Sequence, residues 1–146
     1  MKRIIGGLVL AVLAGMPYAG WAETDAIANK SIKTREVTRQ EARDIYLLKE
    51  RSCANEGRVV VFRLPLRDKI HREFVRDVLK MTDREFDAAW AMLVNSGLAP
   101  LIGEVASQSE MVRTVSRKPN AVGYLNHDYL LMNIGGSDVA AIRIVN

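Results

Sequence analysis

The spacing of apolar positions changes several times along the chain. Ala26–Ala28, Arg58–Phe62 and Ala121–Leu125 are short apolar runs bounded by polar or turn-forming residues, a pattern typical of β-strands. In the run RVVVF, consecutive β-branched residues also indicate a strand buried on both faces. The sequence therefore predicts three strands that other elements separate.

Helical spacing fills the segments between these strands. Three Ser or Thr residues are followed three positions later by Glu, a pair that satisfies free amides of a first helical turn. The pairs are Thr38 with Glu41, Thr82 with Glu85, and Ser107 with Glu110. They predict helices over about 39–48, 83–96 and 108–117. A fourth helix is predicted to begin after Asp68, a good N-cap, because apolar residues recur behind it at helical spacing.

The last part of the chain predicts a hairpin. Tyr129–Met132 and Val139–Val145 are apolar runs on either side of a turn that contains Gly135 and Gly136. Leu98–Glu104 is interpreted as a loop because it contains a proline and a glycine. Strands and helices alternate over most of the sequence, which favours an α/β sheet with helices on both faces.

The first 22 residues predict a signal peptide. Lys2 and Arg3 precede an apolar stretch, Ile4–Leu13, and small residues around Ala22 form a cleavage site. Glycines and a proline interrupt the stretch, so it is a poor membrane span, and no stable membrane insertion is expected after cleavage. We therefore expect a periplasmic protein. Cleavage leaves 124 of the 146 residues, which are predicted to form one domain over 23–146.

Charge and cysteine content exclude several classes of function. The predicted mature chain carries 19 basic and 17 acidic residues, a net charge of +2, which gives no reason to expect nucleic acid as a partner. Cys53 is the single cysteine, so no intramolecular disulfide can form. No motif supports Cys53 as a nucleophile, and His71 and His127 are too few ligands for a zinc site. The sequence predicts no enzyme, metal site or cofactor.

Four stretches resemble a known family in order and spacing. They are VTRQEARDIYLLKE, RVVVF, REFVRDVLKMTDREFDAAWAMLV and RKPNAVGYL. Together they resemble the periplasmic phosphate-binding proteins of ABC transporters, and more closely their short single-lobe relatives. The most specific pieces are Arg43–Lys49 and Pro119–Tyr124. The resemblance implies one lobe of a type 2 periplasmic-binding-protein-like fold, with a mixed, mostly parallel sheet, helices on both faces and a C-terminal hairpin.

The resemblance also implies a binding turn. Full-length relatives close two lobes on phosphate and hold it at a strand-to-helix loop, which corresponds here to residues 63–70. The predicted ligand-binding groups are the side chains of Arg63, Arg67 and Lys69 and the backbone amides of Lys69 and Ile70. The turn lacks the glycines and hydroxyls of the family loop, and its proline and Asp68 disfavour an anion.

Two functions remain open at this point. The first is a solute-binding-like protein that binds phosphate or another small oxyanion weakly. The second is an interaction module that has kept the lobe without a ligand. Full-length relatives have a second lobe that faces the first. For either function, a second copy in a homodimer or an envelope transport protein could take the place of that lobe.

Overall fold

The structure, a computed structural model, describes residues 23–51 and 57–146. Cys53 and the predicted signal peptide lie outside these residues. The strands are β1 (Thr24–Asn29), β2 (Glu36–Thr38), β3 (Val60–Arg63), β4 (Ile102–Glu104), β5 (Ala121–Asn126) and β6 (Val139–Val145). The helices are α1 (Arg39–Tyr46), α2 (Lys69–Glu73), α3 (Asp83–Asn95), α4 (Gln108–Arg117) and α5 (His127–Asn133). Helix α2 continues directly into a π-helical segment, Phe74–Val78.

The described strands form one sheet in the order β2-β6-β1-β5-β3-β4. Strand β3 pairs in parallel with β4 and β5, and β2 pairs in parallel with β6. Strand β1 is antiparallel to both of its neighbours, so five strands point one way and β1 alone points the other way. The predicted α/β fold with a mixed, mostly parallel sheet is confirmed.

Helices cover both faces of the sheet, as predicted. On one face, the ring of Tyr124 in β5 stacks on Phe74 of the π-helical segment with 4.1 Å between ring centroids, and it also contacts Tyr46 of α1. Gly123, the next residue back along β5, faces the opposite side, where Met111 of α4 packs on it. The core therefore lies in two layers, one on each side of the central strands β1 and β5.

The predicted helix starts are confirmed. Thr38, Thr82 and Ser107 occupy N-cap positions, and each side chain accepts a hydrogen bond from the backbone N–H of the glutamate three residues on. Helix α3 ends where Gly97 adopts a φ of 75°, a left-handed conformation that glycine adopts without strain. Local chemistry therefore fixes these ends.

The predicted C-terminal hairpin is wrong in its first half. Tyr129–Met132 lies within helix α5, because the Asn126 side chain accepts hydrogen bonds from the N–H groups of Asp128 and Tyr129 and so begins a helix. The run also contains Leu and Met, which favour helix over strand. Val139–Val145 is a strand, but its partners are β1 and β2.

Two short strands were missed. Strand β2 has three residues, too few to show an alternating pattern, and its pairing with β6 defines it. The predicted loop Leu98–Glu104 contains a 3₁₀ turn at Ala99–Leu101 and then β4. Gly103 in β4 lies against the Phe62 ring of β3. This glycine was taken to indicate a loop, but its lack of a side chain makes room for the ring.

Candidate functional site

The predicted binding turn lies at the carboxyl edge of the sheet. Arg63 is the last residue of β3, and the chain then turns over residues 64–68 into α2. Glu104 ends β4 and Asn126 ends β5 at the same edge, since these strands are parallel to β3. In open α/β sheets, ligands bind in the crevice outside the carboxyl ends of the strands. The turn therefore lies where such a fold presents a ligand.

Arg63 is directed inward and not toward solvent. The residue is 8% exposed, and its guanidinium carbon lies 4.6 Å from the centre of the Trp90 ring of α3. Its Nη1 donates to the Leu64 carbonyl at 3.1 Å, and its Nη2 lies 3.5 Å from the Glu104 carboxylate. Its Nε is buried and has no hydrogen-bond partner in the described part of the chain. Arg63 is thus enclosed between an aromatic ring and a carboxylate.

A buried hydrogen-bond network holds the turn from the core side. The Tyr124 hydroxyl accepts the backbone N–H of Leu64 at 2.9 Å and lies 2.5 Å from Nδ1 of His71. The hydroxyl accepts the Leu64 N–H, so we assign its own hydrogen to Nδ1 and the His71 proton to Nε2. With this assignment the buried Nε2 has no hydrogen-bond partner in the described part of the chain. The first residue of the turn is therefore fixed by a tyrosine of β5 and a histidine of α2.

Burial keeps the two side chains of this hydrogen-bond network, His71 and Tyr124, uncharged. Burial, and secondarily the Arg63 guanidinium, lowers the pKa of His71 from 6.5 to about 4. Burial also raises the pKa of the Tyr124 hydroxyl well above its usual value. At neutral pH the imidazole and the phenol are both uncharged, which agrees with the single-donor arrangement between them.

The other predicted ligand groups lie on the outer side of the turn. Arg67 is exposed, and the Lys69 side chain is 86% exposed with its Nζ 3.3 Å from the Glu73 carboxylate. The backbone N–H of Ile70 donates to the Asp68 carboxylate at 2.8 Å, because Asp68 is the N-cap of α2. The structure leaves Arg67 and Lys69 exposed but places Arg63 on the inner side, and the ligand role of Arg63, Arg67, Lys69 and Ile70 stays a prediction.

Sequence reasoning missed the residues that hold the turn. Tyr124 was predicted as part of a strand and of a stretch that resembles the family, and Glu104 as part of a loop, but neither was given a role at the turn. A signal was present for His71, since a histidine near an apolar helical stripe must find a polar partner when it is buried. The identity of that partner depends on β5 lying next to β3, which no local pattern shows.

Among the residues that the structure describes, no three His, Cys, Asp or Glu side chains come together as a metal site. None of the helices in 23–51 and 57–146 is both long and apolar enough to cross a membrane.

Several solved structures have a similar fold. They include a Clostridium perfringens protein described as a phosphate ABC transporter substrate-binding protein and solved with bound phosphate (17% identity, TM-score 0.53), an ABC-type phosphate transport receptor from Vibrio cholerae (16%, 0.53) and PstS from Borrelia burgdorferi (13%, 0.58). Each alignment covers 84% of this chain and 44%, 46% and 47% of the respective neighbour. This chain has the fold of part of a phosphate-binding protein.

The chain spans less than half the length of these neighbours, and the low identities show the shared fold alone. No family model matches the sequence, and no curated protein matches it. One neighbour is described as a substrate-binding protein and another as a transport receptor.

Proposed function

We propose that the chain is an exported, non-enzymatic solute-binding-like protein that binds phosphate or a similar small oxyanion weakly. The observation that supports this function is the position of the turn at residues 63–70, at the carboxyl edge of a fold shared with phosphate-binding proteins. Arg67 and Lys69 supply charge there, and the amides of Lys69 and Ile70 are the predicted directed donors. The predicted signal peptide over residues 1–22 supports a periplasmic location for the predicted single domain over 23–146.

The geometry of the turn supports weak binding over tight binding. Asp68 accepts the N–H of Ile70, so an anion would have to compete with a carboxylate for that donor. Lys69 is paired with Glu73, and Arg63 is enclosed by Trp90 and Glu104. Exposed charges that act in solvent contribute roughly 1 kcal/mol or less each. We therefore expect a dissociation constant in the millimolar range.

Isothermal titration with phosphate and sulfate at constant ionic strength tests the proposal. We expect saturable heat that Arg67→Ala and Lys69→Ala each weaken by up to about fivefold, the factor that corresponds to roughly 1 kcal/mol. Arg84→Ala is the matched control, because Arg84 is an exposed arginine on α3. The absence of saturable heat at millimolar anion, or an equal loss in the control, contradicts oxyanion binding at this turn.

The second candidate is an interaction module, and the same turn favours it. The Ile70 amide and the Arg63 guanidinium, the two groups best suited to hold an anion, are both engaged within the chain. In this alternative the lobe meets a second copy or an envelope transport protein at its open edge. Multi-angle light scattering and crosslinking in the periplasm distinguish the cases. A stable monomer that captures only abundant bystander proteins counts against the interaction module.

A further inference from the structure

The carboxylate of Glu104 lies on the solvent side of Arg63. Glu104 is the last residue of β4 and stands directly beside Arg63 in the strand register. One of its carboxylate oxygens lies 3.5 Å from Nη2 of the arginine. The Glu104 side chain is 53% exposed and the Arg63 side chain only 10% exposed. A solute that approaches the guanidinium from solvent therefore meets this carboxylate first.

The backbone around Glu104 is fixed, while the contact of its side chain is loose. Gly103 packs against the Phe62 ring, and the N–H of the buried Val105 donates to the Arg63 carbonyl at 2.9 Å. The carboxylate is thus carried to the guanidinium by strand pairing. The 3.5 Å contact is longer than a charge-assisted hydrogen bond, which measures roughly 2.7–2.9 Å. Rotation of the Glu104 side chain can therefore break the contact without moving the strand.

The Arg63 guanidinium has donors to spare. Nη1 donates to the Leu64 carbonyl at 3.1 Å, and Nε is enclosed and reaches neither a partner in the described chain nor solvent. Nη2 has the Glu104 carboxylate as its charged neighbour. The Trp90 ring, 4.6 Å from the guanidinium carbon, holds the group in place. Nη2 is therefore the atom of Arg63 that an oxyanion can contact once the carboxylate is removed.

We propose that Glu104 sets the anion affinity of the turn by standing where an oxyanion would otherwise meet Arg63. This inference rests on the proposed function, because it concerns the same turn. The carboxylate and the anion carry charge of the same sign, so they repel each other and compete for Nη2. In the native chain Arg63 then makes no direct contact with the anion. Without the carboxylate, an anion oxygen accepts a hydrogen bond from Nη2.

Isothermal titration with phosphate at constant ionic strength tests the role of Glu104. Glu104→Ala should bind phosphate about tenfold more tightly than the native chain, since it gains a hydrogen bond to a charged group and loses a repulsion. Glu104→Gln, which removes the charge and keeps the shape, should give a smaller gain. Asp138→Ala is the matched control, because it removes an exposed carboxylate at the opposite edge of the sheet. It should leave the affinity unchanged.

The outcomes separate this inference from the proposed function. Binding by the native chain without a gain in Glu104→Ala, or with the same gain in Asp138→Ala, overturns the role of Glu104 and leaves the oxyanion site standing. Saturable binding by Glu104→Ala alone supports that role and overturns oxyanion binding by the native chain. The absence of saturable heat in both chains overturns both.

A side-chain measurement tests whether Arg63 makes the contact. The Nε–H signal of Arg63 in the NMR spectrum of the ¹⁵N-labelled chain should shift with phosphate in Glu104→Ala and stay in place in the native chain. The same spectra show that each variant is folded. The melting temperature of Glu104→Ala should rise more with phosphate than that of the native chain, because a ligand stabilises the state that binds it. An Arg63 signal that phosphate leaves unmoved in Glu104→Ala overturns the contact.

Discussion

Single buried polar side chains determine the shape of the turn at the edge of the sheet. Tyr124 and His71 lie beneath it and fix the Leu64 amide, while Trp90 holds Arg63 inward. These groups are enclosed, so their hydrogen bonds form in a medium where a lost partner is costly. The turn is therefore held in place from the core side, and only its outer residues are free to meet a solute.

Removing the Tyr124 hydroxyl should destabilise the fold. Tyr124→Phe leaves the Leu64 N–H and Nδ1 of His71 without partners, which costs about 1–3 kcal/mol for a buried group. Tyr129→Phe, on the partly buried ring of α5, is the matched control. Urea denaturation measures both. An equal, small change in the two variants contradicts the proposed role of the hydroxyl.

The histidine gives the fold an acid sensitivity. The pKa of His71 is about 4 when folded, below its ordinary 6.5, so the unfolded chain binds the proton more readily. Above about pH 6.5 His71 is neutral in both states and does not lower the free energy of unfolding. As the pH drops from 6.5 to 4, the free energy of unfolding falls by up to about 3 kcal/mol.

Comparison with His71→Gln isolates this effect from other titrating groups. The difference in unfolding free energy between the native chain and the variant should shrink as the pH falls from 6.5 to 4. Denaturation at a series of pH values measures it. A difference that stays constant over this range shows that His71 is not a buried neutral group.

At the residue scale the sequence predicted positions better than orientations. The family resemblance implied that Arg63, at a strand-to-helix turn, supplies charge to an anion. Arg63 does end β3, but its side chain lies against Trp90, a contact across the molecule that spacing cannot show. For Asp68 the expectation of an N-cap was confirmed, because the cap uses neighbours in sequence.

At the scale of elements, local signals and tertiary pairing contributed differently. Helices with a side-chain cap and a long apolar stripe, such as α3, were predicted closely. Strands of three residues, β2 and β4, depend on their partners and were missed. The short apolar run after Asn126 fits both a strand and a helix. Only the N-cap at Asn126 distinguishes the two.

Packing of α4 on β5 depends on a glycine. A Cβ placed on Gly123 would lie 2.6 Å from Sδ of Met111 and 3.3 Å from Val115, and both neighbours are fully buried. Gly123→Ala should therefore destabilise the fold by about 1–3 kcal/mol. Gly135→Ala is the matched control, because nothing lies within 4 Å of its added Cβ. Thermal melting that ranks the control as equally damaging contradicts this packing.

At the scale of the whole molecule, the fold is shared with phosphate-binding proteins and the length is not. One sheet with helices on both faces covers less than half of the solved neighbours. The order of strands and helices along the sequence was enough to predict this architecture. Whether the exposed edge meets a solute or a protein depends on a few outer side chains, which fold-level similarity does not decide.

Backbone NMR of the ¹⁵N-labelled chain during phosphate titration, at constant ionic strength, tests the central claim most directly. The proposed oxyanion site predicts saturable shifts concentrated in the amides of residues 64–70, with Lys69 and Ile70 among the largest, and saturation at up to about fivefold higher phosphate in Arg67→Ala. Shifts that do not saturate, or that are spread over exposed lysines and arginines elsewhere, contradict a binding site at this turn.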